Sequence, residues 1–248
     1  MGRAWVRALG DVLVVVPHPD DESIGCGGLL ALLRAEGASV TVALMTGGEL
    51  SHPGSRRWPA EARAEVRRGE LDRALAELGV DADAVVAFGW PDGALPGAAD
   101  ACFDDAVASL AALVQERRPR TLLAPWRRDP HPDHRAASEI ARTALERAMP
   151  RPGLLEYLVW GPERGSDADR PRPGEVRALR LDIEAAVASK VQAVAAHRSQ
   201  HGLVFDDDPD GFTLSPAMRA RCAEPHEIYY ERIDSEASPV ALSEGMTP

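Results

Sequence analysis

Apolar runs alternate along much of the chain with segments in which apolar residues recur at helical spacing. Short runs rich in Val, Leu and Ala are typical of buried strands, whereas a period of about 3.6 residues is typical of amphipathic helices. The predicted strands are residues 11–16, 39–45, 84–88, 121–125 and 154–160. The predicted helices are residues 28–36, 60–78, 103–116 and 132–148. This alternation predicts an α/β fold, in which helices flank a Rossmann-like, mostly parallel sheet.

The last third of the chain has a different pattern. Residues 175–183 and 226–233 alternate between apolar and polar positions, as strands do when one face is exposed. A segment of helical period at 185–199 separates them. We therefore expect a small C-terminal antiparallel extension at 175–234, attached to a core at 11–160.

Turn-forming and charged residues concentrate in two segments, 47–59 and 161–174, which predicts long loops there. The final residues, 235–248, have the composition of a disordered tail. We expect the remainder, residues 1–234, to form a single domain.

Composition agrees with one globular domain. The chain has 248 residues, of which 45% are hydrophobic and 27% are charged, which is enough to form a sizeable core. It contains no apolar run of about 18 residues, and its start lacks an apolar segment followed by a small-residue cleavage site. We expect a cytoplasmic protein without membrane insertion.

Charge argues against nucleic-acid binding, and cysteine content argues against disulfide-linked and thiolate-zinc proteins. A formal net charge of -11 without a large basic cluster would repel a polyphosphate backbone, so nucleic acid is not an expected partner. The three cysteines, Cys26, Cys102 and Cys222, are far apart and form no C-x-x-C pair. We expect them to be small buried residues and not a disulfide framework or a thiolate zinc site.

Titratable residues directly follow two of the predicted strands. "PHPDDE" (17–22, the first motif) follows the first strand, and "RRDPHPDHR" (127–135, the second motif) follows the strand at 121–125. Loops at the carboxyl ends of parallel strands converge on the ligand site of an open α/β sheet. The two motifs should therefore bring together His18, Asp20, Asp21, Glu22, Asp129, His131, Asp133 and His134.

Two histidines and one carboxylate, with water in an open position, form the ligand set of a hydrolytic zinc site. His18 and Asp21 are three residues apart, so a single turn can direct both at one metal. His131 and His134 repeat that interval. The spare acid and imidazole would move protons, because amide hydrolysis needs a base for the water and an acid for the amine. The residues alone leave open which of Asp20 and Asp21 binds the metal.

Other interpretations fit parts of this pattern. Acids after a strand often cap the next helix, but two histidine-acid loops at one sheet edge favour a site. The glycines of "GCGG" (25–28) suggest a dinucleotide loop, yet that fingerprint requires a glycine where the first motif stands. A 2-His-1-carboxylate site also occurs in non-haem Fe(II) oxygenases, which usually have antiparallel barrels. A non-catalytic metal- or sugar-binding module is a further alternative.

Together, the two motifs resemble the paired signatures of the PIG-L/LmbE-like zinc-dependent deacetylases, a family that includes deacetylases of N-acetylglucosaminyl-phosphatidylinositol, mycothiol and bacillithiol biosynthesis. The resemblance extends from about residue 11 to residue 200. It implies one zinc ion per chain, with Fe²⁺ or another divalent ion as the alternative. It also implies hydrolysis of an N-acetyl group on a GlcNAc-like amino sugar or glycoconjugate, through a zinc-activated water, with release of acetate and a free amine.

The resemblance assigns roles to five residues of the motifs. It implies that His18, Asp21 and His134 are the zinc ligands. Asp20 matches the general base that takes a proton from the zinc-bound water. His131 matches the imidazole that stabilises the oxyanion and helps to protonate the leaving amine.

Residues outside the motifs match the family's substrate-binding positions. Arg67 in "RRGE" and Asp92 in "WPDG" would hold sugar hydroxyls, with Arg68 as an alternative to Arg67. Glu49 in "TGGE" would line the pocket. The segment "AAHRSQ" at 195–200 also matches the family, without an implied chemical role. The expected partner is a small N-acetylated amino sugar or glycoconjugate, and the oligomeric state stays open.

Overall fold

The computed structural model describes residues 1–233, and these contain a seven-stranded sheet covered by helices on both faces. The strands are β1 (Val12–Val16), β2 (Val40–Thr46), β3 (Val85–Trp90), β4 (Thr121–Pro125), β5 (Gly153–Tyr157), β6 (Val176–Asp182) and β7 (His226–Arg232). Their order across the sheet is β3-β2-β1-β4-β5-β7-β6. The predicted tail at 235–248 lies outside the described residues.

Eight α-helices occur within residues 1–233. They are α1 (Arg3–Leu9), α2 (Asp21–Ala35), α3 (Ala60–Glu77), α4 (Phe103–Arg117), α5 (Pro132–Glu146), α6 (Gly161–Arg164), α7 (Val187–Ala196) and α8 (Pro216–Cys222). The segment 47–59 contains no helix or strand, as predicted, whereas 161–174 contains α6 and a short 3₁₀ turn. None of the helices in this part of the chain combines the length and apolar character needed to cross a membrane.

The central strands form the predicted parallel sheet. β1 pairs in parallel with β2 and β4, β2 with β3, and β4 with β5. Successive side chains of β1 enter two separate cores, since Val14 packs with α2 and α3 whereas Leu13 and Val15 pack with α4 and α5. Because both faces are covered, every position of the strand is apolar. The predicted Rossmann-like α/β fold is confirmed.

The position of β1 determines where the two motifs meet. From β1 the chain proceeds to β2 and β3 on one side, and it then crosses to β4 and β5 on the other. The loops after β1 and β4 therefore leave neighbouring strands at the same edge of the sheet. In α/β proteins, ligands bind at such a point of reversal.

The C-terminal strands form the predicted antiparallel extension. β7 lies between β5 and β6 and is antiparallel to both. The strand predicted at 154–160 is shorter than expected and ends at Tyr157. The chain turns there towards the second motif, where the Trp160 N–H donates a hydrogen bond to Asp129 Oδ2 at 3.0 Å.

Two N-terminal helices differ from the prediction. The hydrophobic pattern did not predict α1, and it placed the start of α2 too late, at residue 28. The glycines of "GCGG" lie inside α2, where they permit close packing. A Cβ atom at Gly25 would lie 2.3 Å from Tyr157 Cδ2, and one at Gly28 would lie 2.5 Å from Ile183 Cδ1. These glycines therefore form a helix–sheet contact and not a nucleotide-binding loop.

Two smaller predictions need correction. Cys26 and Cys222 are buried as expected, but Cys102 is exposed, because it lies in the turn before α4. The helix predicted at 185–199 ends at Ala196, since His197 leaves the helical conformation and a 3₁₀ turn follows.

Candidate active site

The first motif leaves β1 as a buried turn. His18, Asp20 and Asp21 are each at most 8% exposed. The His18 N–H donates to Asp21 Oδ2 at 2.9 Å, so the spacing of three residues brings these two side chains together. Asp20 has a φ angle of 143°, in a region that favours glycine. The backbone is therefore strained between the two predicted metal ligands of this motif.

The second motif forms the first turn of α5. His131 is the N-cap residue, and its imidazole Nδ1 accepts a hydrogen bond from the Asp133 N–H at 3.2 Å. Pro132 occupies the first helical position, where a residue without an N–H is well tolerated. His134 follows in the same turn, with its ring centroid 5.4 Å from that of His18. The two motifs therefore meet at the sheet edge.

The three predicted metal ligands lie in one buried cluster. Asp21 Oδ2 is 3.2 Å from His18 Nδ1 and 3.1 Å from His134 Nε2. His131 adjoins them, because His18, His131 and His134 each offer a ring nitrogen within 4.8 Å of the other two. Imidazole and carboxylate groups gathered in this way are suited to a divalent metal ion.

The state of His134 provides a direct test of that fit. Both of its ring nitrogens are buried, and neither makes a hydrogen bond of good geometry. The carboxylates of Asp21 and Asp129 are nevertheless only 3.1 Å and 3.3 Å away. Buried polar atoms rarely stay without a partner, because the lost hydration is not replaced. A cation bound by His134 Nε2 and the Asp21 carboxylate would give that nitrogen a partner. These residues therefore fit a metal ion.

In His18 and in His134, the ring nitrogen that does not face Asp21 lies beside another carboxylate. His18 Nε2 lies 3.0 Å from Asp133 Oδ2, and His134 Nδ1 lies 3.3 Å from Asp129 Oδ1. Metal-binding histidines commonly have such a partner, which sets the tautomer and the ring orientation. The sequence pattern brought Asp129 and Asp133 to this edge but gave them no role. The spacing within the motifs does not reveal this role, because only the folded chain shows which carboxylate lies beside which histidine ring.

Burial and neighbouring charges shift the pKa values of the site in different directions. Burial raises the pKa of Asp20 to about 7, although the Arg67 guanidinium lowers it. Burial disfavours protonation of His134, yet the carboxylate of Asp21 helps to raise its pKa to about 9. Burial and the two neighbouring imidazoles lower the pKa of His131 to about 4. Of these three groups, Asp20 has the pKa nearest to neutral pH.

Arg67 lies against the first motif. Its Nη2 atom is 3.3 Å from Asp20 Oδ2 and donates to the Pro19 carbonyl at 2.6 Å. Its Nη1 atom donates to the Gly48 carbonyl at 2.8 Å, so the guanidinium links two loops. Arg68, the alternative in "RRGE", pairs instead with an acid of its own helix. The structure therefore places Arg67, and not Arg68, at the site.

Asp92 and Glu49 lie together at the edge of the cluster. Asp92 Oδ1 is 3.1 Å from His18 Nε2, and Asp92 Oδ2 accepts a hydrogen bond from the Leu50 N–H at 2.7 Å. Glu49 Oε1 accepts a hydrogen bond from the Asp92 N–H at 3.0 Å. This hydrogen bond to Glu49 fixes the backbone of Asp92.

A cavity of about 370 Å³ opens onto the cluster. Its polar lining includes His18, Asp20, Asp21, Arg67, Asp92 and His131. Trp160 and Phe212 form an apolar wall, with ring centroids 5.3 Å apart, and the Arg164 guanidinium lies 4.1 Å from the Trp160 ring. Cavities of roughly 300–1,000 Å³ are typical of small-molecule sites.

Two consecutive aspartates from a distant part of the chain anchor the loop at 47–59. Asp207 Oδ2 accepts hydrogen bonds from the N–H groups of Arg56 and Arg57 at 2.9 Å and 3.0 Å. Asp208 Oδ2 accepts one from the Gly54 N–H at 2.8 Å. The composition of 47–59 indicated a loop, but not this attachment to a distant part of the chain.

Comparisons with known proteins show which folds and sequences the chain resembles. The 4-carboxy-2-hydroxymuconate hydratase of Pseudomonas putida KT2440 shares the fold, with a TM-score of 0.68 and 20% identity over 92% of this chain and 98% of the hydratase. A conserved protein from Thermus thermophilus has a TM-score of 0.65 and 28% identity, over 94% of this chain and 99% of that one. A 1D-myo-inositol 2-acetamido-2-deoxy-alpha-D-glucopyranoside deacetylase from Mycobacteroides abscessus is 32% identical, over 82% of this chain and 85% of its own length.

The family match contains both motifs. The model of the family PIG-L, described as GlcNAc-PI de-N-acetylase, matches residues 13–145. This range contains the first motif, the second motif and the residues predicted to bind substrate. Because the match spans more than half of the sequence, the chain belongs to the PIG-L family.

Proposed function

We propose that the protein is a metal-dependent hydrolase that removes an N-acetyl group from a GlcNAc-like amino sugar or glycoconjugate, releasing acetate and a free amine. The observation that carries this proposal is the buried cluster of His18, Asp21 and His134, with the carboxylate of Asp20 beside it in the cavity. The PIG-L family and the deacetylase relative support N-deacetylation as the reaction. The shared fold alone would not select it, since a hydratase has the same architecture.

His18, Asp21 and His134 are the proposed ligands of one zinc ion per chain. Three protein ligands with one open position are characteristic of catalytic zinc. Zinc, when bound, would supply a water of lowered pKa and polarise the acetyl carbonyl. The same ligands suit Fe²⁺, so the identity of the metal is part of the test below.

Asp20 is the proposed general base. Its carboxylate lines the cavity next to the cluster but pairs with Arg67 and not with a histidine. A group whose pKa is raised to about 7 by burial can accept a proton from water and return it to the leaving amine at neutral pH. Asp20 would therefore serve first as base and then as acid.

His131 is the proposed hydrogen-bond donor to the acyl oxygen. Its Nδ1 atom accepts the Asp133 N–H, so a neutral ring carries its proton on Nε2. The ring lines the cavity, where an N–H donor stabilises negative charge that develops on the acyl oxygen. The lowered pKa of His131 supports a neutral donor, and the proton for the amine then comes from Asp20.

Arg67 and Asp92 are the proposed contacts for the sugar hydroxyls. Both side chains line the cavity and offer charged groups that form strong hydrogen bonds with hydroxyls. Glu49 is not among the residues that line the cavity. It would act on the sugar only through Asp92, whose backbone N–H donates to Glu49. Arg67 would have two tasks, since it also pairs with Asp20.

We further propose that residues 1–234 act as one domain on a small N-acetylated amino sugar or glycoconjugate. The C-terminal strands β6 and β7 extend the same sheet that carries the site. The net charge of -11 argues against nucleic acid as a partner. The cytoplasmic location stays a prediction from the sequence.

Reconstitution of metal-free protein with Zn²⁺ or Fe²⁺ tests the reaction. Acetate, free amine and O₂ would be measured with a panel of N-acetylated amino sugars that includes the N-acetylglucosaminyl inositol named for the relative. We expect acetate and amine in equal amounts without O₂ consumption. Turnover that consumes O₂ without amine release would support the oxygenase alternative, and sugar binding without turnover would support the non-catalytic module.

Replacement of Asp20 tests its role. Asp20→Asn should keep the metal ion but lower turnover by about 10²–10⁴-fold, the usual contribution of a general base. Asp72→Asn is the matched control, because Asp72 pairs with Arg68 on a partly exposed face of α3. An Asp20→Asn variant as active as this control would remove Asp20 from the mechanism.

A further inference from the structure

Three buried polar residues behind the cavity have no role in the proposed reaction. Glu22, Ser23 and His197 are each no more than 1% exposed, and none of them belongs to the described lining of the cavity. Glu22 and Ser23 lie in the first turn of α2, whereas His197 follows α7, 175 positions after Glu22. Burial of such groups is unfavourable unless they are hydrogen-bonded, so their contacts show what they support.

The contacts connect His197 to the backbone of Asp20. His197 Nε2 lies 3.1 Å from Glu22 Oε1 and 3.3 Å from Ser23 Oγ, and the Ser23 hydroxyl donates to Glu22 Oε1 at 2.6 Å. The other oxygen, Glu22 Oε2, accepts a hydrogen bond from the Asp20 N–H at 3.1 Å. One carboxylate thus joins the imidazole to the peptide group of Asp20.

Asp20 needs such support because of its backbone conformation. Its φ and ψ angles are 143° and -25°, a combination that residues with a side chain rarely adopt. A strained conformation of this kind persists only where its surroundings hold it, and it is common at functional sites. The hydrogen bond from its N–H to Glu22 is a contact of this kind.

A second contact joins the same segment to the helix that carries Arg67. The N–H and hydroxyl of Ser199 donate to the two carboxylate oxygens of Glu70 at 2.8 Å and 2.6 Å. Glu70 lies in α3 one turn after Arg67, whose guanidinium pairs with the Asp20 carboxylate. The segment that contains His197 and Ser199 is therefore attached to Glu22 and to the helix that carries Arg67.

We propose that residues 197–199 form a brace that holds Asp20 in its reactive conformation, with His197 as a positioning residue that acts through Glu22. This inference rests on the proposed function, in which Asp20 is the general base. The brace lies behind the cavity, so its loss should displace the base and leave the metal ligands and sugar contacts in place. Because small displacements of a reacting group slow the chemical step, the brace should affect kcat and not KM.

A nucleophilic role for the same three residues does not fit their geometry. Ser, His and Glu are also the components of a hydrolytic triad. Here, however, the Ser23 hydroxyl donates its proton to Glu22, and its side chain is fully buried. A nucleophile must reach the substrate, so these residues are suited to positioning and not to attack.

Two substitutions of His197 separate positioning from general stability. His197→Gln places an amide nitrogen near the position of Nε2, whereas His197→Asn places it near Nδ1, which has no hydrogen-bond partner. We expect His197→Asn to lower kcat by on the order of 100-fold with KM and bound metal unchanged. We expect His197→Gln to restore most of kcat. Equal kcat values for the two variants, or a parallel loss of kcat and bound metal, would contradict the proposed role of the brace in positioning Asp20.

Hydrogen exchange provides a readout that does not depend on activity. In the metal-free protein, the amides of His18 and of residues 20–24 should exchange faster in His197→Asn than in His197→Gln, because the Asp20 N–H loses its fixed acceptor. Identical exchange in both variants would contradict the inference. Ser199→Ala is the milder second variant, and it should lower kcat. An unchanged kcat there would overturn the connection through Glu70.

These outcomes are distinct from failure of the proposed function. A fully active Asp20→Asn variant would refute the base itself, whatever happens at residue 197. An inactive Asp20→Asn variant, combined with equal activity of His197→Gln and His197→Asn, would refute only the brace.

Discussion

The two motifs contain the same residue types but are held in place in different ways. In the second motif, the N-cap residue His131 has an ordinary extended backbone, with a φ of -76° and a ψ of 129°, and its ring accepts the N–H of a residue two positions later. In the first motif, Asp20 has a strained φ of 143°. Its conformation depends on Arg67 and, through Glu22, on His197.

This difference shows which parts of the site are robust. A helix cap is stabilised by hydrogen bonds between residues that are close in sequence. A strained turn requires supports from elsewhere in the fold. We therefore expect His131 and His134 in the second motif to tolerate changes far from the site, and we expect Asp20 in the first motif to be sensitive to them.

The largest effect should come from Asp21, where the two motifs meet. Its Oδ2 atom lies within 3.2 Å of both His18 and His134, so Asp21→Ala removes the acid that both histidines share. We expect bound metal to fall from one ion per chain to none, as measured by elemental analysis after dialysis. Asp20→Asn is the control from the same motif and should keep its metal. The reverse result would exchange the roles of the two acids.

The next effect should come from the acids behind the histidines. Asp129→Asn and Asp133→Asn each remove a carboxylate that orients one ring, and such losses typically lower metal affinity by about 10–100-fold. Competition with a chelator would measure the change. Asp167→Asn is the control, since the Asp167 side chain is 94% exposed. Unchanged affinity in both variants would mean that the two motifs bind metal without this support.

The sequence predicted the parts of the site that depend on local patterns. The apolar run before His18 predicted a strand, and the position of both motifs at the carboxyl ends of parallel strands predicted that they would meet. The contact between Glu22 and His197 could not be predicted in this way, because it joins residues 175 positions apart that belong to no periodic pattern. The helical position of Gly25 was missed for a similar reason, since only the folded chain places Tyr157 against it.

A smaller effect should come from the attachment of the brace to α3. Ser199→Ala removes a buried hydroxyl donor and leaves one oxygen of Glu70 without a partner, which typically costs about 1–3 kcal/mol of the free energy of unfolding. Ser109→Ala is the matched control, because the Ser109 hydroxyl bonds to a carbonyl on an exposed turn of α4 and should matter by less than about 0.5 kcal/mol. Urea denaturation would measure both. Equal changes would show that the support of the first motif is no stronger than a surface contact.

The smallest effect should come from an ion pair at the start of the second motif. Arg128 donates to both carboxylate oxygens of Glu175, at 2.7 Å and 2.6 Å, and these bonds lower the pKa of Glu175 to about 2 from its ordinary value of 4.5. Because the folded pKa is the lower one, the stabilisation is complete above pH 4.5 and is lost as the pH falls towards 2. Glu175→Gln should therefore lower the free energy of unfolding at pH 7 by about 1 kcal/mol, the upper end for a partly solvated pair.

The pH dependence of that difference distinguishes the ion pair from simple packing. Denaturation of both proteins at pH 7 and at pH 3 should show a difference that shrinks in acid, because the unfolded chain then protonates Glu175 and the folded chain resists it. Metal binding should be the same in both proteins at pH 7, since Glu175 bonds to Arg128 and not to a proposed metal ligand. A difference that does not change with pH would assign the effect to packing. A loss of metal affinity would show that the second motif, like the first, depends on support from outside.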